Sequence, residues 1–351
     1  MKTYKLKVVS TKVSGTNSDF PAYVDLSELP ASFWSLVTNG GGDIRCWSSV
    51  EPPSVQLPRE VVSCSTASDT GELWVKTSMT TTTEIYITID GSSSEPAVDS
   101  DYGSENVWNS NYKAIYHLDD ADDSSDNDND LTAVSSPSAV AGKLGKAYSF
   151  DGVDDELVDT TFTNFGNTNF TIQMWVNVDS ISEAGAFFKL GSAAGKDGVA
   201  LGVGTTRLEP AYLGNKIVGL VEDIRWISTG DDLGTGWQRL ELQINSSGYP
   251  EVFLNGVSVY SDTTGTLNDP VDDFQIGGYT TGGSTSRHVD ALIDEVHVIS
   301  GNITSDWRTT EYNNQNDASE FWDITEINQV IKRWSGSAWV EYFLTVFVKN
   351  V

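Results

Sequence analysis

The sequence holds few of the residues that most readily reveal chemistry or compartment. Of 351 residues only two are cysteine, Cys46 and Cys64, and only three are histidine. Two cysteines do not make a disulfide scaffold, so both are expected as reduced, buried thiols. His117, His288 and His297 do not form His-Glu-x-x-His, and neither Gly-x-Ser-x-Gly nor a Gly-Lys-Ser/Thr phosphate loop occurs. Cations are scarce too: 21 Lys and Arg stand against 50 Asp and Glu, a formal charge of −29. Such a surface repels nucleic acid and anionic membranes. No segment approaches the roughly 18 consecutive apolar residues of a membrane span. The opening MKTYKLKVVSTKV alternates polar and apolar residues and lacks the apolar run of a secretory signal, so synthesis and retention in the cytosol are expected.

What is present points to a folded, strand-rich chain. Hydrophobic residues make up 38%, with 13 Phe, 13 Tyr and 11 Trp, and 31 Gly accompany many Ser, Thr, Asn and Asp. Short strands with turns between them follow from that composition. In residues 1–110, LKVVSTKV, AYVDLSEL, DIRCWSS, LPREVVSCS, GELWVKTSM and TEIYITID read as strands of a small N-terminal β-sandwich. GSSSEPAVDSDYGSENVWN (91–109) has connector composition. Beyond it, VFLNGVSVY places Asn255-Gly256 between two alternating runs, the signature of a hairpin turn with two positive φ values. Trp175 and Trp237, on alternating strands, are expected in the core. ITSDWRTTEYNNQ predicts a helix capped at Thr304 or Ser305. In 319–351, INQVIKRW and AWVEYFLTVFV flank Ser335-Gly336-Ser337 as a β-hairpin, which must pack on another surface because an isolated hairpin is marginal.

The most distinctive stretch is YHLDDADDSSDNDNDLTAVSSPSAVAGKLGKAYSFDGVDDELV, with seven aspartates between Asp119 and Asp130. A loop this acidic stays compact either around a cation or with its charges turned outward. Tyr116 to Asp119, Asp123 to Thr132, Gly142 to Ala147 and Ser149 to Asp154 resemble the entry to a LamG-type domain of the concanavalin A-like jelly-roll superfamily. FTIQMWV, WQRLELQI, VFLNGV, FQIGG and LIDEVHV follow in that family's order. Residues 1–110 resemble an uncharacterised bacterial and phage domain that precedes LamG-type domains. IKRWSGSAWVEY resembles a W-x-G-x-x-W hairpin of tailed-phage structural proteins. The expected fold is all-β: an N-terminal β-sandwich (1–110), a LamG-like jelly roll (111–318) and a short C-terminal β-hairpin (319–351).

The glucanases of this superfamily carry Glu-x-Asp-x-x-Glu or Glu-x-Asp-x-Glu on one strand. Asp290, Asp294 and Glu295 approach that pattern but miss its spacing, and no catalytic residue is assigned. The resemblance implies a structural calcium, carried over to Asp123, Asp130 and Asp294 with Asp151 in reserve; Asp126 and Asp128 stand where the family commonly has Gly. Aromatics outside the alternating pattern, Tyr212, Trp226, Tyr249 and Tyr279, are the candidates for stacking on a sugar ring. The function expected is a non-enzymatic virion structural protein of a phage, serving as a capsid decoration, fibre or tail component. It would be assembled in the host cytoplasm as a homo-oligomer, with other virion proteins and host-surface glycans as partners. The alternative is an extracellular, cell-surface carbohydrate-binding adhesin or glycan-active enzyme module of a bacterium.

Overall fold

The computed structural model describes residues 2–50, 54–92, 94–162, 168–178, 185–191, 198–204, 216–221, 225–263, 273–278, 280–281, 285–334 and 339–346. The chain divides into two compact units, Met1–Asn109 with Thr304–Val351, and Ser110–Ile303.

The first unit is a sandwich of a six-stranded and a three-stranded antiparallel sheet. The larger runs in the order Trp339–Val346, Trp322–Trp334, Thr3–Val8, Glu84–Ile89, Ile44–Trp47, Gln56–Leu57, and the smaller in the order Asn17–Asp25, Thr70–Met79, Arg59–Ser65. Period-2 alternation sends Tyr4, Leu6, Ile85, Ile87, Ile44 and Cys46 from one sheet into the same core as Ala22, Val24, Leu73 and Val75 from the other. Both cysteines are free and buried. Burial raises both thiols, Cys46 to about 12 and Cys64 to about 11, so neither is a ready nucleophile.

Two expected boundaries are corrected here. The helix Ser305–Asn316, placed by sequence at the end of the jelly roll, belongs to the first unit. Its Thr310 Oγ1 accepts the Ser14 N–H at 3.0 Å, and its Trp307 ring lies 5.0 Å from that of Phe20. The C-terminal hairpin is no separate segment either. Trp322–Trp334 pairs with Thr3–Val8 along six residues, and Phe321 and Trp322 enter the first core. Phe321 and Trp322 thus complete the core of the first sandwich, with Ile324 packed against it.

The second unit is a jelly roll of two facing sheets. One has eight strands, ordered Ser138–Ala141, Lys146–Asp151, Asp290–Ser300, Phe170–Asn177, Trp237–Ile244, Pro250–Leu254, Val257–Ser261, with Tyr112–Tyr116 also on Asp290–Ser300. The other has seven, ordered Arg225–Asp232, Lys216–Val221, Val199–Gly204, Gly185–Leu190, Phe274–Ile276, Glu156–Asp159, Thr132–Val134. Ile172, Met174, Val176, Leu240 and Leu242 of one sheet meet Phe188, Leu190, Leu201, Phe274 and Ile276 of the other. This phasing corrects the placement of the tryptophans. Trp175 is buried but alternates to the opposite face, under Lys143 Nζ at 4.9 Å, and Trp237 is only half-buried at its strand's start.

Candidate functional site

The acid-rich loop of the jelly roll is built by its side chains on the strand Tyr112–Tyr116. Asp123 Oδ1 accepts the N–H of Ile115 at 2.9 Å and of Ser125 at 2.9 Å, while Oδ2 accepts from Ser125 Oγ at 2.9 Å and Asn129 N at 3.0 Å. Asn127 and Asn129 donate their amides to the carbonyls of Tyr112 and Lys113. These side chains satisfy the strand's outer groups as a further strand would. Asp120, Asp122, Asp126, Asp128 and Asp130 are exposed. Outward charges thus prevail; Asp123 turns inward, and the half-buried Asp119 pairs with Lys146 at 2.5 Å. Burial raises the Asp123 carboxyl, and the N–H donors of Ile115, Ser125 and Asn129 act against that rise. Asp128 takes φ of 53°, the left-handed region that Gly adopts most readily.

The four aspartates named as calcium ligands do not converge. Asp130 meets Asp123 only by accepting its backbone N–H at 2.9 Å. Asp151 Oδ1 accepts from Val153 N at 2.8 Å and groups with Asp154 and Asp155 on a separate loop. Asp294 Oδ2 accepts from Lys143 N at 2.7 Å and Leu144 N at 2.9 Å, while its buried Oδ1 has no hydrogen-bond partner among the described residues. With both Asp123 oxygens taken by donors and the rest apart, the set does not fit one calcium shell of six to eight oxygens.

Asp294 and Glu295 mark the most chemically dense part of the unit. Along Asp290–Ser300, Trp175 pairs with Asp294 but Gln173 pairs with His297, so two residues oppose Met174. This β-bulge, with Glu295 at φ 51°, re-phases the strand. Ile293 faces the core before it, Val296 and Val298 after it, and neither acid enters the core. On the far face a hydrogen-bonded chain forms. Arg239 donates to Gln173 Oε1 at 2.6 Å, Gln173 Nε2 donates to His297 Nδ1 at 3.0 Å, and His297 Nε2 donates to Glu295 Oε2 at 3.0 Å. His117 Nδ1 meets Glu295 Oε1 at 2.8 Å. These directions assign the Nε2–H tautomer to His297. Burial raises the Glu295 carboxyl, yet His117 and His297 hold it down at about 2. Asp294 is driven the other way, well above the usual carboxylate range, by burial and by the charge of Glu295. One acid is thus held ionised and its neighbour is pushed toward the neutral form. Both are buried.

The opposite sheet carries a second polar feature. A single register row crosses it as Trp226, Leu220, Ala200, Lys189, Gln275, Val158, Thr132. Lys189 is 0% exposed and donates from Nζ to the Gly191 carbonyl at 3.3 Å; Gln275 beside it keeps a buried Oε1 that has no partner among the described residues. Sequence reasoning named Trp226 but missed Lys189 and Gln275. The available signal was one cation inside the apolar run Gly185–Leu190. Of the other aromatic candidates, Tyr249 is half-buried and closes the turn that begins at Asn245. Tyr212 and Tyr279 lie outside the described residues, as does the Trp226 side chain.

The second unit thus packs its two sheets face to face as a sandwich. Residues 151–307 match the Laminin_G_3 family, described as the concanavalin A-like lectin/glucanases superfamily. No curated protein matches the sequence. Among solved structures, the chain is similar to domain 4 of AbnA, a GH43 extracellular arabinanase from Geobacillus stearothermophilus, in complex with arabinotriose. The identity is 20%, covering 57% of this chain and 98% of that one, with a TM-score of 0.44. It is also similar to the binding domain of Paraclostridial Mosquitocidal Protein 1, at 14% identity, 57% and 52% coverage and a TM-score of 0.43. The botulinum neurotoxin serotype D binding domain matches at 11% identity, 58% and 52% coverage and a TM-score of 0.44. This chain spans about half the length of those two toxin domains.

Proposed function

We propose that the chain is a non-catalytic glycan-binding protein that serves a phage virion as a decoration, fibre or tail component. The observation that carries this reading is the condition of Asp294 and Glu295. Glycoside hydrolysis needs a proton donor and a second carboxylate that both reach the sugar. Here the first acid is buried against backbone N–H groups, and the second spends both oxygens on histidines. Contact with a saccharide is supported by the lectin and glucanase family match over 151–307 and by the row that joins Trp226, Lys189 and Gln275. A buried oxygen with no donor among the described residues, next to a cation, is suited to a ligand hydroxyl. The virion role draws on the phage resemblances at both ends of the sequence. It also draws on the outer strand Trp339–Val346, which ends the six-stranded sheet and offers an edge to a neighbouring subunit.

Glycan-array binding by the full chain tests the first half. Binding lost in Trp226→Ala and kept in Trp237→Phe is the expected result; silence toward every glycan at millimolar concentration overturns it. Antibody labelling of purified phage particles under the electron microscope tests the second. Signal on bacterial surfaces and none on particles would favour the adhesin alternative.

A further inference from the structure

We infer that the outer face of the six-stranded sheet in the first unit is a second saccharide-binding platform, centred on Trp47 and selective for uncharged sugars. It goes beyond the jelly-roll reading and stands on different residues. Because Tyr4, Leu6, Ile85, Ile87, Ile44 and Cys46 occupy the core, their sequence neighbours face outward. Register then aligns Thr325, Lys5, Tyr86, Trp47 and Gln56 in one row across five strands. At the usual spacing between strands that row is about 19 Å long, enough for a short oligosaccharide.

The two rings are held in place by polar bonds at their edges. The Trp47 indole N–H donates to Thr88 Oγ1 at 2.9 Å, so the ring orientation is fixed while the residue stays only half-buried. The Tyr86 hydroxyl donates to Glu84 Oε2 at 2.5 Å, and Glu84 Oε1 accepts Lys5 Nζ at 3.3 Å. Tyr86 is itself buried, at 8% exposure, so the half-buried Trp47 is the ring offered to a ligand: a pyranose lays its C–H face on that ring and its hydroxyls reach the polar neighbours. Preorganisation also lowers the ordering cost of binding.

Charge selects among ligands. The chain as a whole is strongly anionic, yet this face is locally balanced: Lys5 pairs with Glu84, and Arg45 pairs with Asp90 at 3.0 Å. A polyanion finds no net positive field here and a polycation no net negative one. A neutral, hydroxyl-rich chain fits both the Trp47 ring and the paired charges. A cross-strand Trp–Tyr pair also contributes to sheet stability, so the test has to separate the two roles.

Calorimetric titration of the full chain with cellohexaose, xylohexaose and maltohexaose does so. Saturable binding of at least one is expected, weakened roughly tenfold or more in Trp47→Ala, partly restored in Trp47→Phe, and retained in Trp226→Ala. Melting curves identify any variant that fails to fold, and Gln56→Ala, at the end of the row, provides an independent loss of affinity. Absence of binding by all three sugars overturns the platform. So does affinity unchanged in folded Trp47→Ala, or binding that Trp226→Ala alone abolishes. That last result would leave the jelly-roll reading standing.

Discussion

Asn314 clamps the backbone of Tyr23 through both of its polar groups: its Oδ1 accepts the Tyr23 N–H at 2.7 Å and its Nδ2 donates to the Tyr23 carbonyl at 2.9 Å. Tyr23 lies on Asn17–Asp25, the end strand of the three-stranded sheet, and the amide takes the place of a missing neighbour strand. Asn314→Ala would leave a buried N–H without its partner, whereas the carbonyl keeps the Trp322 indole at 2.9 Å. The expected loss is about 1–3 kcal/mol. In differential scanning calorimetry it should lower the transition of the first unit and leave that of the jelly roll in place. A shift of the jelly-roll transition instead would contradict the assignment of the helix to the first unit.

Asp123 ties the acid-rich loop to its strand through hydrogen bonds. Replacing it by Ala removes the acceptor for three backbone N–H groups and one hydroxyl. A loss of about 2–4 kcal/mol in the second unit is expected, judged from the cost of orphaned buried donors. Since its oxygens are already occupied, chelation with EDTA is expected to leave the wild-type melting temperature unchanged. A site filled with calcium at 100 times its Kd would add about 2.7 kcal/mol, so a clear drop on chelation would restore calcium as the loop's organiser.

Much of this architecture was legible where the information is local. Asn255 and Gly256 take φ of 52° and 79°, as the hairpin reading requires, and Thr304 Oγ1 accepts the Trp307 N–H at 3.2 Å as an N-cap should. What escaped was pairing between distant segments. Thr3–Val8 joins Trp322–Trp334 across some three hundred residues, and alternation shows that a strand has a face without showing its neighbour. The bulge at Glu295 was hidden for a related reason. Period-2 reading assumes an unbroken register, whereas one inserted residue reverses the face of everything after it. Lys189 and Gln275 sit on short strands whose apolar neighbours give no sign of a polar site.

Asp294 keeps its carboxyl against the N–H groups of Lys143 and Leu144, and burial with the charge of Glu295 raises its pKa. A pKa raised on folding contributes stability that is complete below the unfolded value, about 3.9, and is lost as pH rises through the folded value. Asp294→Asn keeps an acceptor for both donors and cannot ionise. It should therefore be more stable than wild type at neutral pH, with the advantage shrinking toward pH ~4. Asp294→Ala orphans both donors and should cost about 1–3 kcal/mol near pH ~4; it cannot ionise either, so that cost should shrink toward neutral pH in parallel with the gain of the Asn variant. Chemical denaturation of the three proteins between those limits measures this; an Asn variant less stable at neutral pH would show that the carboxylate is ionised and wanted.

Glu295 has the opposite sign. His117 and His297 hold its folded pKa at about 2 against the rise that burial imposes. A depressed carboxylate contributes stability that is complete above its unfolded value, about 4.3, and is lost as pH falls through the folded one. The second unit should therefore weaken between pH ~4.3 and pH ~2, and Glu295→Gln should flatten that limb while lowering stability at neutral pH. The amide carries no charge, and it can accept from one histidine N–H but not from both. Urea melts of wild type and Glu295→Gln, each followed at the jelly-roll transition across this range, decide the matter. Parallel acid limbs in the two proteins would mean that Glu295 is not the group that titrates, and the ionised acid at the bulge would have to be reassigned.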